Sequence, residues 1–229
     1  MKIEKIIFND EDYPEILKEI YDPPKCLYVI GNKEVLNGKN IAMVGCRENS
    51  EYGKKAAYYF SYNLSKAGLN IVSGLAKGID SYSHIGALAA NEKTIAVIGS
   101  GLDNIYPKEN VELARKIIET GGCIISEYPL GTKPEKRNFP ARNRIISGIS
   151  EAVIIVEAQE KSGTLITADF ALEQGRDLFV VPGNINSKNS IGTNKLLQEG
   201  AYPITSYMDV LKTLKWENVE NCDEKSFTK

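Results

Sequence analysis

The sequence predicts an α/β protein, built on one doubly wound, mostly parallel β-sheet with helices on both faces. Two features carry that expectation. Six short apolar runs, most containing Val or Ile and most closing on Gly or a small polar residue, alternate with segments of helix length. Such runs, without polar alternation, are the pattern of strands buried on both faces, and regular alternation with helices implies right-handed crossovers. The second feature is an asymmetry of loops. Those after the apolar runs are long and hold most of the Gly, Ser, Thr and basic loop residues, whereas those at the opposite ends ("KAGLN", "ANEK", "TGG", "GIS", "EQGR") are short. In a sheet of this kind ligands bind beyond the carboxyl ends of the strands, so one functional face is expected there.

In chain order, residues 1–38 read as an irregular N-terminal extension packing on the core. "DEDYPEIL" suits a short helix start, and "YDPPKCLYVIG" an extended, Pro-stiffened segment closed by a Gly turn. The core is expected over 39–214. Its strands fall at 40–45, 70–74, 94–101, 123–127, 152–158 and 177–183, and its helices at 51–67, 80–91, 109–120, 141–149 and 164–174. A last helix at "GTNKLLQEG" and a short strand at "AYPIT" follow. Residues 215–229 form a polar tail, expected to fray. No internal repeat or low-complexity tract breaks the pattern.

With 229 residues the chain has ample material for a core, and 42% apolar with 25% charged residues is ordinary for a globular protein. The net charge of −2 means that any anion site must be a local patch. Cys26, Cys46, Cys123 and Cys222 are scattered without a Cys-x-x-Cys, which points to neither a zinc site nor a disulfide framework. The N-terminus is charged throughout and lacks the apolar stretch of a signal peptide, and no apolar run approaches the ~18 residues of a membrane helix. A cytoplasmic protein without membrane contact is the expectation.

"VGCRENSEYGKK" follows the first core strand. A dinucleotide fingerprint would need Gly-x-Gly-x-x-Gly here and only Gly45 is in place, so no such cofactor is expected. "GSGLDN" lacks the third glycine and reads as a tight turn. Neither a Walker sequence nor His-Glu-x-x-His occurs, and no cofactor, metal or catalytic residue is assigned. Arg47 stands at the tip of the first strand, where backbone amides and a guanidinium could hold a phosphate; pairing with Glu48 or Glu51 is the alternative. Ser73, Asp80 and the single histidine, His84, invite a hydrolase triad. Asp80 is better read as a helix N-cap and His84 as a structural residue one turn inside.

The most basic stretch is "GTKPEKRNFPARNR". Residues 133–144 hold Lys133, Lys136, Arg137, Arg142 and Arg144 against Glu135, a local charge of +4 around Phe139. Cations for a backbone and a ring for base stacking are what single-stranded nucleic acid needs; a ring packed under a loop with solvated charges is the alternative. In "VEAQEKSGTLITADFALEQG", Ser162, Gly163 and Thr164 crowd a helix start, as plain capping or as an anion cradle.

The ordered set "YPEIL", "DPPKCLYVIG", "VGCR", "SGLAKGIDSYSHIGAL", "GSGLDNIYP", "FPARNRIISGIS", "VEAQEKSGTLITADFALEQGR", "VPG" and "GTNKLLQEGA" resembles the DNA-processing protein A (DprA/Smf) family from about Tyr13 to about Thr205. The resemblance implies an extended Rossmann-like fold and a recombination mediator, not an enzyme. Such a protein binds and protects incoming single-stranded DNA and helps load the RecA recombinase during natural transformation and homologous recombination, commonly as a homodimer. It places Arg47 at the family's Gly-Ser/Thr-Arg arginine, and Lys136 and Phe139 at its Lys-x-x-Phe pair. The DNA-binding set implied is Gly45, Cys46, Arg47, Lys136, Phe139, Arg142, Asn143, Arg144, Ser162, Gly163 and Thr164, with one of the two arginines 142 and 144 free to brace the loop instead. Cys46 departs from the usual Ser or Thr, and a thiol donates more weakly. The additional domains of many members, a helical one before the core and a winged-helix-like one after it, are not expected within these residues.

Two rival readings stand beside this one. Nucleotide phosphoribohydrolases of the lysine-decarboxylase-like (LOG) group share the architecture, but of their Pro-Gly-Gly-x-Gly-Thr-x-x-Glu loop only Gly163-Thr164 survives, and Glu173 falls too far along the helix. A module that binds only protein partners fits poorly with the dense polar chemistry of the post-strand loops.

Overall fold

The computed structural model describes residues 2–216. Its strands are β1 (Ile3–Ile7), β2 (Cys26–Gly31), β3 (Asn40–Val44), β4 (Asn70–Ser73), β5 (Thr94–Val97), β6 (Cys123–Ser126), β7 (Ala152–Ile155), β8 (Asp177–Val180) and β9 (Tyr202–Pro203). The helices are α1 (Glu15–Lys18), α2 (Glu51–Lys66), α3 (Ile79–Ala89), α4 (Val111–Glu119), α5 (Asn138–Gly148), α6 (Gly163–Glu173), α7 (Ile191–Gln198) and α8 (Tyr207–Thr213).

The nine strands of the described residues make one sheet, in the order β1-β2-β6-β5-β4-β3-β7-β8-β9. From β6 to β9 every pairing is parallel, and only β1 with β2 and β2 with β6 run antiparallel. This is the doubly wound α/β sheet that the apolar runs predict. The chain leaves β3 toward β4, β5 and β6, then returns to the other side of β3 with β7, so β3 and β7 flank the point where winding reverses. In a sheet of this topology the crevice opens there.

Side chains alternate along the central strands, and the alternation builds a packed core on each face of the sheet. Ile41 and Met43 of β3 join Ile71, Ile154 and Phe179 on the face under α2 and α8, with Phe60, Leu64 and Leu211. Ala42 and Val44 point the other way, with Val72, Val97, Ile125, Ile155 and Val180, against Ile145 and Ile146 of α5 and Ala168 of α6. Each fully buried aliphatic side chain contributes about 1.5–3 kcal/mol of transfer free energy. The helix pair α2–α3 approaches closely because residue 86 is Gly: a Cβ there would lie 1.9 Å from Ser61 Oγ and 2.8 Å from the Tyr58 carbonyl.

The structure departs from the sequence expectation at three places. In residues 1–38, α1 and β2 fall in the segments read as a helix start and as extended, but β1 was not expected; in β1 only Ile6 is buried, as suits a solvated edge, so it lacks a strand's sequence contrast. Helix α5 starts at Asn138, not 141, and Pro140 lies in its first turn, where a missing N–H breaks no helical bond. Helix α8 was not expected, although Ser206 and Asp209 form a capping box at its start. The polar tail from 217 and Cys222 lie outside the described residues. Among the described residues no helix is long and apolar enough to cross a membrane, and no cluster of His, Cys, Asp and Glu could hold a metal ion.

Candidate nucleic-acid interface

A cleft of about 800 Å³ opens at the carboxyl ends of β3 and β7. Its floor begins with the turn after β3. The Cys46 amide donates to the Glu157 carbonyl (3.0 Å), and the Ile79 amide donates to the Cys46 carbonyl (3.1 Å). These bonds press the turn onto the first turn of α3. The fit needs glycines on both sides: a Cβ on Gly45 would lie 2.6 Å from Ile79, and Gly78 has φ +80° with its Cβ position 2.3 Å from the Cys46 carbonyl. The Cys46 thiol is buried, and burial pushes its pKa up.

The start of α2, beside this turn, is already occupied. Ser50 caps the helix by accepting from the Gly53 amide (3.0 Å), while the buried Glu157 carboxylate takes the Ser50 amide (2.9 Å) and hydroxyl. Asn189 donates to the Glu48 carbonyl (2.8 Å) and accepts from Gln159 (3.0 Å), tying the loop after β8 to the same rim. At this end of the crevice, what is left to meet an anion is chiefly the Arg47 side chain.

Arg47 is exposed and has no carboxylate within 4.0 Å among the described residues; Glu51, one of its two sequence candidates, pairs with Lys54 instead (3.7 Å). Its guanidinium lies over the ring of Phe139, 5.5 Å from the centroid. Phe139 is half-buried in the first turn of α5, and its ring stands 5.7 Å from that of Tyr106. Asn138 fixes this turn by donating to the Gly99 carbonyl (3.0 Å). Lys136 and Lys161 are exposed at the mouth and unpaired with any described carboxylate, whereas Arg137 pairs with Glu135 (2.8 Å).

The two arginines of "ARNR" brace the structure. Arg142 is buried in the cleft wall, where its Nη1 donates to the carbonyls of Gly74 (2.7 Å) and Val97 and its Nε to Asn143 (3.2 Å). It thereby ties α5 to the tips of β4 and β5. Desolvation pulls its pKa down to about 10, against the favourable field of Asp80. Asp80 is likewise buried at the cleft floor; burial pushes its pKa up, opposed by the charges of Arg142 and Arg47. Arg144 is not part of the cleft. It grips Glu127, at the end of β6, through Nη1 and Nη2 (2.8 and 2.7 Å) and Asp22 of the N-terminal segment through Nε (3.1 Å). Asn143 lines the cleft and donates to the Gly163 carbonyl (3.4 Å).

Ser162 is the N-cap of α6, accepting from the Thr164 amide (3.2 Å), so plain capping describes its contacts, and Ser162, Gly163 and Thr164 all face the cleft. The structure therefore brings ten of the eleven sequence-derived residues to one cleft and leaves Arg144 outside. It adds Tyr106, Lys161 and Gln159, which the sequence reading does not assign to the site, and Glu48, read there only as a possible partner of Arg47. Tyr106 and Lys161 had usable signals, an aromatic and a basic residue in polar post-strand loops; Gln159 had none.

No hydrolytic triad is present among Ser73, Asp80 and His84. Gly78, not Asp80, caps α3, and Asp80 is its second residue. Ser73 donates to the Met43 carbonyl (2.7 Å). Thr94 Oγ1 donates to the Ile71 carbonyl (2.6 Å), so His84 Nδ1, 2.7 Å from that oxygen, must be the N–H donor. Burial lowers the His84 pKa to about 3. Glu173 ends α6, ten residues from Gly163 or roughly 15 Å along the helix, too far to act with the loop glycine.

Residues 4–215 match the family model described as DNA recombination-mediator protein A. The chain is 45% identical to DNA processing protein DprA of Bacillus subtilis, over 95% of this chain and 73% of that protein. It is 42% identical to protein Smf of Escherichia coli over 91% of its own length, but spans only 56% of that relative. DNA processing protein A from Streptococcus pneumoniae superimposes with a TM-score of 0.87 at 45% identity, covering 93% of this chain and 74% of that one. Its counterpart from Helicobacter pylori, solved for its single-stranded DNA binding mode, gives 0.84 at 34% identity, covering 94% and 96%. The molybdenum cofactor binding protein of Rippkaea orientalis, at 16% identity and a TM-score of 0.52 over 77% of this chain and 93% of that one, shares the fold alone.

Proposed function

The chain belongs to the DNA recombination-mediator protein A family, and from that premise we propose that it binds single-stranded DNA in the cleft between β3 and β7 and acts by binding, without a catalytic step. One observation carries the reading. An exposed Arg47, with no carboxylate partner among the described residues, lies against the ring of Phe139, with Lys136 at the same mouth. A single strand offers phosphates to the cations and a base to the ring, while a duplex hides its base faces. Gly45, Cys46, Asn143, Ser162, Gly163 and Thr164 supply the polar walls, and Arg142 holds the wall from behind. Arg144 is a strut in this reading.

The wider role is a proposal of the same kind: a homodimer that protects incoming single strands and delivers them to the RecA recombinase during transformation and recombination, in the cytoplasm. The likeness to relatives named for DNA processing supports it.

The test is a mobility shift with labelled oligo-dT and with duplex of equal length across a salt series. Binding of oligo-dT well above duplex, weakening linearly in log salt, is expected. Equal affinity for the two would refute the reading. Incubation with nucleoside monophosphates tests the phosphoribohydrolase alternative, and no free base should appear.

A further inference from the structure

Tyr106 stands beside Phe139 in the cleft but has no part in the site as described so far. It projects from the loop between β5 and α4 and is 46% exposed. Its ring lies 5.7 Å from that of Phe139 and is tilted by 44°. Its hydroxyl makes no hydrogen bond to a described residue. An exposed aromatic side chain alone is unremarkable. This one sits on a loop that cannot easily yield. Ser100 donates to the Asn104 carbonyl (2.7 Å), and Ser126 donates to the Ser100 carbonyl (2.7 Å). At the loop's far end Asn110 is buried and donates to the carbonyls of Leu75 (2.8 Å) and Ala76 (3.2 Å). A ring with two side-chain torsions on a stapled loop offers contact area at small ordering cost.

The geometry points to Tyr106 as a second base-stacking platform, taking the base that follows the one at Phe139. This assignment rests on the single-strand reading of the cleft. Two bases lying flat on rings tilted by 44° cannot stay parallel to each other, so the strand is splayed at that step. A duplex keeps successive bases parallel and cannot follow. Lys77, within electrostatic reach of Tyr106, is engaged by Glu109 (2.6 Å). The Tyr106 contribution is therefore carried by stacking rather than by phosphate charge.

The test is a double-mutant cycle on the full chain with oligo-dT, comparing wild type, Phe139→Ala, Tyr106→Ala and the double variant, with Tyr106→Phe as the conservative control. Tyr106→Ala should weaken binding roughly 5- to 150-fold with an unchanged salt slope, as expected for one lost base stack. Tyr106→Phe should bind like wild type, because stacking uses the ring. The double variant should bind more weakly than either single variant, with a coupling between the two effects because the rings touch. If the double variant binds as Phe139→Ala does, Tyr106 merely props its neighbour and the assignment fails. It fails too if Tyr106→Ala binds as wild type, or loses affinity only in proportion to unfolded protein in a parallel melting curve. A wild-type chain that ignores oligo-dT would instead refute the reading of the cleft itself.

Discussion

The guanidinium of Arg47 lies over the ring of Phe139, 5.5 Å from its centroid. The two residues are far apart in sequence, and each holds the other at the mouth of the cleft. A cation over an exposed aromatic face contributes about 0.5–1 kcal/mol, small enough for a ligand to replace. In the proposed complex a base flat on that ring face would take the place of the guanidinium, and a phosphate would give the displaced guanidinium a new partner. The pair would then link the electrostatic and stacking parts of binding.

Arg47→Ala should weaken oligo-dT binding and make it less sensitive to salt. Each phosphate contact on a single strand contributes about −0.7 to the slope of log K against log salt, so the slope should flatten by about that amount. Titrations at several salt concentrations measure it. The melting temperature should fall only slightly, by the lost ring contact of about 0.5–1 kcal/mol, since Arg47 makes no ion pair among the described residues.

Phe139→Ala should behave in the opposite way. Binding should fall by roughly 1–3 kcal/mol while the salt slope stays where it was. The ring is half-buried, so the loss of folding stability should fall short of the roughly 3–5 kcal/mol typical of a deleted core phenylalanine. A melting temperature lowered to that full extent, with affinity intact in the folded fraction, would make Phe139 a plug beneath the loop.

Lys136 and Arg144 lie eight residues apart in one basic stretch and should separate cleanly. Lys136→Ala should flatten the salt slope without changing stability. Arg144→Ala should leave the slope alone and destabilise the fold by roughly 1–3 kcal/mol, because its charged hydrogen bonds join α5 to Glu127 at the end of β6 and to Asp22 of the N-terminal segment. Urea denaturation and binding on the same preparations distinguish them.

That contrast marks how far the sequence could be read. The strands buried on both faces were legible because their apolar runs have no polar interruption, as in Ala152–Ile155. Strand β1 was not, because a solvated edge with one buried residue carries no such contrast. In the site, Arg47, Lys136 and Phe139 were legible as residue types in post-strand loops. The burial of Arg142 was not: composition cannot tell a phosphate ligand from a cation that satisfies strand-end carbonyls. The tying of both arginines depends on partners such as Gly74, Val97, Asp22 and Glu127, which only the fold brings close.

His84 should make the protein lose stability in acid. Its folded pKa is about 3, against an ordinary value of 6.5, so the unfolded chain binds the proton more tightly. The contribution is complete above pH 6.5 and is lost as pH falls from there toward about 3, by about 1.4 kcal/mol per pH unit. Asp80 works in the opposite sense. Its raised folded pKa favours the native state at low pH, and that advantage is lost as pH rises through the folded value. His84→Gln should flatten the acid limb of stability measured by urea denaturation at successive pH values. A limb of unchanged steepness would assign the effect to other groups.

Arg142→Gln tests whether this arginine is scaffold or ligand. The guanidinium satisfies the carbonyls of Gly74 and Val97 at once and sets a positive field on buried Asp80. Removing it leaves strand-end acceptors short of a donor and a buried carboxylate with less compensation, which should cost roughly 3–5 kcal/mol at neutral pH. The penalty should shrink on acidification, because protonated Asp80 no longer needs a counter-charge. Arg142→Lys should recover only part of the loss, since one ammonium cannot reproduce the planar fork that reaches two carbonyls and Asn143. Binding should decline in both variants with the salt slope preserved, through loosening of the turn that carries Phe139. A variant that keeps wild-type stability and loses salt slope would make Arg142 a phosphate ligand, and the cleft would then have to open far enough to expose it.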